Sequence, residues 1–91
     1  MPRKEKVTKV IDGDTFETNR RKHPVRLANV NAPEKGQPAY QGAKQGLAEL
    51  IKGQDVTIET VARDPFRRSV ANVKVGGRSV NRIMREKLNG R

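Results

Sequence analysis

The chain reverses direction within the segment VIDGDTF, residues 10–16. Apolar residues lie on both sides of Asp12-Gly13, a dipeptide that favours a tight turn between paired strands. We therefore predict antiparallel strands at about Lys6–Ile11 and Thr15–Thr18. The turn also carries the carboxylates of Asp12 and Asp14, although an Asp-Gly pair is common in turns for purely structural reasons.

The pattern downstream of this hairpin predicts three more strands and two helices. Further strands are predicted at Val25–Val30, at the alternating Val56, Ile58 and Thr60, and at Val70–Val75. Apolar residues at helical spacing predict a helix from about Pro38 to Lys52, with Gly53 just past its end. Ser79 is the expected N-cap of a last helix.

This order of elements indicates an α+β domain that is mainly β. A five-stranded barrel, with one helix between strands 3 and 4 and a C-terminal helix, is the compact solution because closure removes exposed edges. We expect residues 1–91 to form this single domain, with residues 1–5 as a charged N-terminal tail.

The composition indicates a polyanionic partner. The chain has 20 Lys+Arg against 10 Asp+Glu, a formal net charge of +10 in 91 residues. So large an excess opposes compact folding, which favours DNA or RNA as partner over a merely solubilising surface. The candidate phosphate contacts are Arg20, Arg21, Lys22, Arg67 and the N-terminal lysines.

Residue usage excludes several kinds of functional site and also predicts where the protein is located. The chain has no cysteine and one histidine, His23, which excludes disulfides, thiolate catalysis, zinc–cysteine sites and paired histidines. No apolar run is long enough for a membrane span or a signal peptide. We expect a cytoplasmic monomer, or a secreted one if a leader has been removed.

Five polar residues are candidates for a single site: Asp14, Arg26, Asn31, Glu34 and Arg68. Arg26 is the most informative, because a guanidinium in an apolar strand is costly unless it meets an anion. The simpler alternative is a salt bridge from Arg26 to Asp14 or Glu34, but those residues would then share a site anyway. Arg68, beside Arg67, could by itself be part of a charged loop.

Taken in order, five blocks of the sequence resemble the staphylococcal nuclease (thermonuclease) family. The blocks are residues 10–15, residues 25–34, Tyr40 before an Ala-containing helix, residues 64–68 and residues 77–81. The resemblance spans about Val7 to Leu88, and the chain looks like a member of this family with a short C-terminus. It implies an oligonucleotide/oligosaccharide-binding (OB) barrel and calcium-dependent hydrolysis of DNA and RNA.

The resemblance also implies a metal site. Asp14 corresponds to a calcium ligand, and Asn31 stands where the family usually has a second ligand aspartate. Ala32 stands where a backbone carbonyl completes the protein ligands. An amide oxygen can bind Ca²⁺ but carries no charge, so weak calcium binding is expected.

The remaining roles implied by the resemblance concern the phosphate and the water. Glu34 corresponds to the residue that orients or deprotonates the attacking water, and Arg26 and Arg68 correspond to the arginines that grip the phosphate. Phe66 stands in the nucleic-acid-binding loop where the family often has a tyrosine, so a hydroxyl contact to phosphate is absent.

Two functions follow from different classes. The first is a metal-dependent nuclease, which the joint presence of Asp14, Arg26, Glu34 and Arg68 favours. The second is a non-catalytic nucleic-acid-binding barrel with a degenerate metal site. Asn31, together with the end of the chain soon after the second helix, favours this second function.

Overall fold

The computed structural model describes residues 4–89. The strands are β1 (Lys4–Asp12), β2 (Thr15–Thr18), β3 (Val25–Leu27), β4 (Asp55–Arg63), β5 (Ser69–Val75) and β6 (Arg78–Ser79), and the helices are α1 (Tyr40–Ile51) and α2 (Val80–Asn89). Neither helix is long and apolar enough, within these residues, to cross a membrane.

Five of the strands close into a ring. β1 pairs with β2, β2 with β3, β4 with β5 and β1 with β4, all antiparallel. The ring closes through a parallel pairing of β3 with β5. The predicted five-stranded OB-type barrel, with α1 between β3 and β4 and α2 at the C-terminal side, is thereby confirmed. The sequence did not predict β6, a two-residue extension that pairs with β5.

The bounds of three elements differ from the prediction. β1 begins at Lys4, and Glu5 within it is buried, so these two residues belong to the sheet; residues 1–3 of the predicted tail lie outside the described residues. β3 ends at Leu27, because Asn29 adopts a positive φ of 59° that takes the chain out of the extended conformation. β4 continues to Arg63, three residues beyond the predicted alternation of Val56, Ile58 and Thr60.

Hydrogen bonds join both ends of α1 to β1. At the start of the helix, the Tyr40 hydroxyl donates to the carbonyl of Ile11 (2.9 Å). Just past its end, the Gly53 amide donates to the carbonyl of Val7 (3.0 Å), and the Val7 amide donates to Gln54 (3.0 Å). These hydrogen bonds hold α1 along β1. The loop of residues 28–39, which precedes α1, therefore lies beside the β1–β2 turn.

Gly13 lets this turn approach the helix and the loop closely. A Cβ atom at Gly13 would lie 2.7 Å from the Cβ of Ala43 in α1 and 2.9 Å from the Cβ of Ala32. Any larger residue would push these three segments apart. The glycine is thus needed for packing, and it places Asp14 directly beside the loop.

The barrel interior is filled by apolar side chains from the strands and both helices. The fully buried ones include Phe16, Val25, Leu27, Val30, Leu47, Ile51, Val56, Val73, Val80 and Met84. α2 is fixed to the ring by the buried Asn81. Its Oδ1 accepts the Val73 amide (2.8 Å), and its Nδ2 donates to the carbonyls of Ala28 (2.9 Å) and Ala71 (3.0 Å). Ser79 caps α2 as predicted, since its Oγ accepts the Arg82 amide.

A polar network joins four strands at another part of the barrel. The buried Glu5 accepts hydrogen bonds from Nε and Nη2 of Arg21, at 2.9–3.1 Å, and from the Thr18 hydroxyl at 2.8 Å. Arg21 Nη1 donates to Ser69 (3.2 Å) and Thr60 (3.5 Å). Burial alone would raise the pKa of Glu5, but the hydrogen bonds from Arg21 and Thr18 outweigh burial and hold the pKa below its ordinary value.

This network predicts an acid-sensitive contribution to stability. Because the pKa of Glu5 is lowered on folding, its ionised form stabilises the protein above the ordinary glutamate pKa, and this stabilisation is lost as pH falls through the folded-state value. Glu5→Gln should lower the free energy of unfolding at pH 7 by roughly 1–3 kcal/mol. Urea denaturation at pH 7 and in the acid range measures the effect, and the difference between variant and parent should shrink in acid. Glu49→Gln, on the exposed surface of α1, is the control, and an equal loss in both variants would contradict the assignment.

Candidate active-site cleft

Asp14 is held in place by hydrogen bonds from β2, from β3 and from the loop of residues 28–39. Its Oδ1 accepts the Thr15 hydroxyl (2.9 Å), and its Oδ2 accepts the backbone amide of Ala32 (3.2 Å). Its carbonyl accepts the Leu27 amide (2.8 Å). The carboxylate is mostly buried, so its position is fixed relative to both β3 and the loop of residues 28–39.

Arg26 bridges the turn and the loop. Its Nη2 lies 3.5 Å from Asp14 Oδ2 and 3.2 Å from Asn31 Oδ1, and it also donates to the carbonyl of Val30 (3.2 Å). The salt bridge to Asp14 that the sequence suggested is therefore present. The side chain keeps about a quarter of its surface exposed, so the guanidinium is also accessible to a ligand.

Glu34 has a fixed backbone and an exposed side chain. Its amide donates to Gln37 Oε1 (2.6 Å), and its carbonyl accepts the Gln37 amide (2.9 Å). This closed turn presents the carboxylate to the cleft that Asp14 and Arg26 also line. An exposed carboxylate on a braced turn can accept a proton from a water molecule.

Arg68 is positioned by Asp64, which the sequence analysis did not single out. Asp64 Oδ1 accepts the amides of Phe66 (3.0 Å) and Arg68 (2.9 Å), and Oδ2 accepts Nε of Arg68. Burial would raise the pKa of Asp64, but the hydrogen bonds from Arg68 outweigh it and hold the pKa below its ordinary value. The Asp64 carboxylate therefore orders the loop and aims the Arg68 guanidinium.

These residues share one cleft of about 520 Å³. It is lined by Asp12, Asp14, Arg26, Asn31, Ala32, Pro33, Glu34, Lys35 and Arg68. All six residues that the sequence predicted as catalytic or metal-binding are thus brought together, although Arg68 is more than thirty residues from the others. The lining holds three carboxylates and three cationic side chains, so their formal charges sum to zero.

Three lining residues, Asp12, Pro33 and Lys35, were not among the predicted site residues, and two of them are charged. Asp12 was considered only as part of the turn; its carboxylate lies beside the Tyr40 phenol, whose pKa is raised by burial and by this neighbour. Lys35 follows Glu34 and is exposed. Nothing in its sequence context marked it as different from the other surface lysines.

The donor chemistry of the cleft fits a weakly held hard cation. Asp14, the amide of Asn31 and the carbonyl of Ala32 offer oxygen donors only, which suits Ca²⁺. Only one of the three is charged, and Arg26 already contacts both side chains. Among residues 4–89, no group of three or more acidic, histidine or cysteine side chains converges as a metal site.

Four of the predicted nucleic-acid contacts lie on two exposed segments. Arg20 and Lys22 are exposed between β2 and β3, and Phe66 and Arg67 are exposed between β4 and β5. Arg21 differs from this group, because all three of its guanidinium nitrogens contact protein atoms of the Glu5 network. The Arg21 side chain, a quarter of which is exposed, therefore joins strands, and its contact with nucleic acid stays a prediction.

Comparison with known proteins relates this cleft to nucleases. A family model described as staphylococcal nuclease homologue matches residues 24–87. A protein of Escherichia coli O157:H7 named "Uncharacterized endonuclease" is 34% identical over 82 residues, covering 87% of this chain and 54% of the relative. The "Micrococcal nuclease" of Shigella flexneri is 38% identical over 69 residues, covering 74% of this chain and 40% of the relative.

The chain spans about half the length of the curated relatives that it matches. The family model, however, covers β3, α1, β4 to β6 and α2 as far as Lys87. The matched residues include every lining residue of the cleft except Asp12 and Asp14. The chain therefore belongs to the staphylococcal nuclease homologue family.

Proposed function

We propose that this chain hydrolyses phosphodiester bonds of DNA or RNA in the cleft, in a calcium-dependent reaction. The observation that carries the proposal is the convergence of Asp14, Arg26, Glu34 and Arg68 in one cleft. An anion-binding surface needs the arginines, but it has no need of a carboxylate directed into the same space. The endonucleases and nucleases among its relatives support the same reaction.

The proposed division of labour follows from the chemistry of each side chain. Glu34 accepts a proton from the water that attacks phosphorus. Arg26 and Arg68 bind the phosphate oxygens and stabilise the additional negative charge of the transition state, which guanidinium groups match in geometry. A calcium ion bound by Asp14, Asn31 and the Ala32 carbonyl would neutralise phosphate charge and polarise the phosphoryl group.

A specific observation also favours a second function, a non-catalytic nucleic-acid-binding module. The Asn31 amide brings no charge to the cation site, and its oxygen accepts a hydrogen bond from Arg26. Opposite unit charges about 4 Å apart are worth about 4 kcal/mol at an effective dielectric of 20, before desolvation. Without the second carboxylate, metal binding could be too weak to support turnover, while the arginines would still bind phosphate.

The first prediction from the proposed function concerns cleavage of DNA and RNA. Denatured DNA and RNA should be cut slowly with Ca²⁺ and left intact with a chelator. Glu34→Gln should lower the rate by about 10²–10⁴-fold because it removes the base. Arg68→Ala should lower it by about 10²–10³-fold because it removes transition-state charge stabilisation. A gel or fluorogenic oligonucleotide assay measures these rates.

Two variants far from the cleft serve as controls for this assay. Glu49→Gln and Arg82→Ala change exposed residues of α1 and α2 and should leave cleavage unchanged. If neither the parent nor Asn31→Asp cuts DNA or RNA at saturating Ca²⁺, the enzyme proposal fails and the binding module replaces it.

The second prediction concerns the cation. Asn31→Asp should bind Ca²⁺ at least about tenfold more tightly, because it restores an anionic ligand. Isothermal titration calorimetry without nucleic acid measures this directly. Asn29→Asp is a matched control, since it adds the same charge in the same exposed loop outside the cleft lining. An equal gain in Ca²⁺ affinity in the two variants would mean that the added charge, and not a ligand at position 31, causes the tighter binding.

The third prediction concerns affinity for the polyanion. Binding of an oligonucleotide should weaken linearly on a plot of log affinity against log salt concentration, because phosphate contacts release counterions. Arg67→Ala should reduce the slope by about 0.7–1. Arg82→Ala, whose parent side chain is paired with Glu86 on α2, should leave the slope unchanged. Affinity that is constant between low and physiological salt would contradict the proposed partner.

A further inference from the structure

Lys35 is the one cation of the cleft lining that has no ion-pair partner among residues 4–89. Arg26 pairs with Asp14, and Arg68 pairs with Asp64, whereas none of the four salt bridges in this part of the chain includes Lys35. An exposed lysine without a partner is ordinary on a protein surface. Lys35 differs from such a lysine because it lines the same cleft as the two arginines.

A tight turn fixes the backbone at Lys35. The Glu34 carbonyl accepts the Gln37 amide (2.9 Å), and Gln37 Oε1 accepts the Glu34 amide (2.6 Å). Gly36 occupies the third position of this turn with a φ of 96°, a conformation that glycine adopts without strain. Lys35 occupies the second position, so its backbone is held while its exposed, flexible side chain can follow a ligand.

The cleft is larger than a single phosphate requires. Its volume is about 520 Å³, within the range of roughly 300–1,000 Å³ that is typical of pockets for drug-sized ligands. The two lining arginines come from β3 and from the residue before β5, and two guanidinium groups already match the geometry of one phosphate. Lys35 comes from a third segment, the loop of residues 28–39, and is therefore available to a different phosphate.

We propose that Lys35 is a specificity-determining residue that binds the phosphate next to the one held by Arg26 and Arg68. This inference rests on the proposed function, since it takes the arginines to hold the first phosphate. Phosphates follow one another regularly along every strand, so a strand bound at the arginines has a second phosphate nearby. An ammonium group on a flexible stem suits this contact, because it can adjust to the conformation of the strand. The cleft then prefers a phosphodiester inside a strand to an isolated one.

A double-mutant cycle between the side chain and the second phosphate tests this proposal. The probes are three thymidine trinucleotides, one with two phosphodiesters and two in which either linkage is an uncharged methylphosphonate. Their affinities are measured by competition against a fluorescent oligothymidylate, with a chelator present so that no cleavage occurs. The parent should bind the doubly charged trinucleotide about 3- to 10-fold more tightly than either methylphosphonate. Lys35→Ala should remove most of this preference and leave the affinity for the methylphosphonates nearly unchanged.

Matched variants separate a specific contact from the general effect of charge. Lys52→Ala removes the same charge from an exposed position just past the end of α1, outside the cleft lining, and should leave the preference unchanged. Lys35→Arg keeps the charge and should retain the preference, whereas Lys35→Gln keeps a polar side chain without the charge and should behave like Lys35→Ala. Because position 35 is exposed, thermal melts should show that these variants remain folded.

Cleavage kinetics give an independent readout. With Ca²⁺ and an oligothymidylate substrate, Lys35→Ala should raise KM about 3- to 10-fold and leave kcat unchanged, because the contact is equally strong in the ground state and the transition state. The proposal is overturned if Lys35→Ala weakens all three trinucleotides equally or none of them, or if it lowers kcat instead of raising KM. A parent protein that binds the trinucleotides without cleaving DNA or RNA would contradict the enzyme proposal and leave the binding cycle intact, so the two proposals fail separately.

Discussion

The parallel pairing of β3 with β5 is the contact on which the cleft depends. It sets Val25 opposite Ser69 and Arg26 opposite Val70, so Arg68, which immediately precedes β5, comes to the end of the barrel where Arg26 lies. The antiparallel pairing of β2 with β3 sets Thr15 opposite Arg26 and brings Asp14 to the same place. Closing the ring therefore assembles the two arginines and the carboxylate.

Buried hydrogen bonds stabilise the short pairing of β3 with β5. β3 has only three residues, and two backbone bonds extend the contact, from Ala28 to Ala71 and from Ser69 to Pro24. Asn81 then donates to the carbonyls of both Ala28 and Ala71. An unsatisfied buried carbonyl costs about as much as a lost hydrogen bond, so the Asn81 amide makes separation of the two segments unfavourable. α2 in this way stabilises a site that it does not line.

The sequence predicted what depends on local pattern and missed what depends on distant partners. The hairpin at residues 10–16, α1 and the order of strands and helices along the chain follow from periodicity and turn chemistry. Arg26 was identifiable because a cation in an apolar strand requires an anion. Arg21 was not, because a run of basic residues resembles a solvated surface, and its partner Glu5 lay in an apparent tail. Asp64 and Lys35 gave no local signal, since what distinguishes them is a loop geometry and a cleft that exist only after folding.

In the proposed function, the side chain at position 31 affects the binding of phosphate and of the cation in opposite directions. Its Oδ1 accepts a hydrogen bond from Arg26 Nη2, the nitrogen that also lies near Asp14. A carboxylate at this position would hold that nitrogen more strongly than an amide does, because both partners would then be charged. It would also compete with a phosphate oxygen for the same donor. The amide leaves Arg26 more available to phosphate, and with Lys35 the cleft keeps three cations against three carboxylates. In the proposed function, the amide at position 31 thus weakens cation binding and favours retention of the anionic strand.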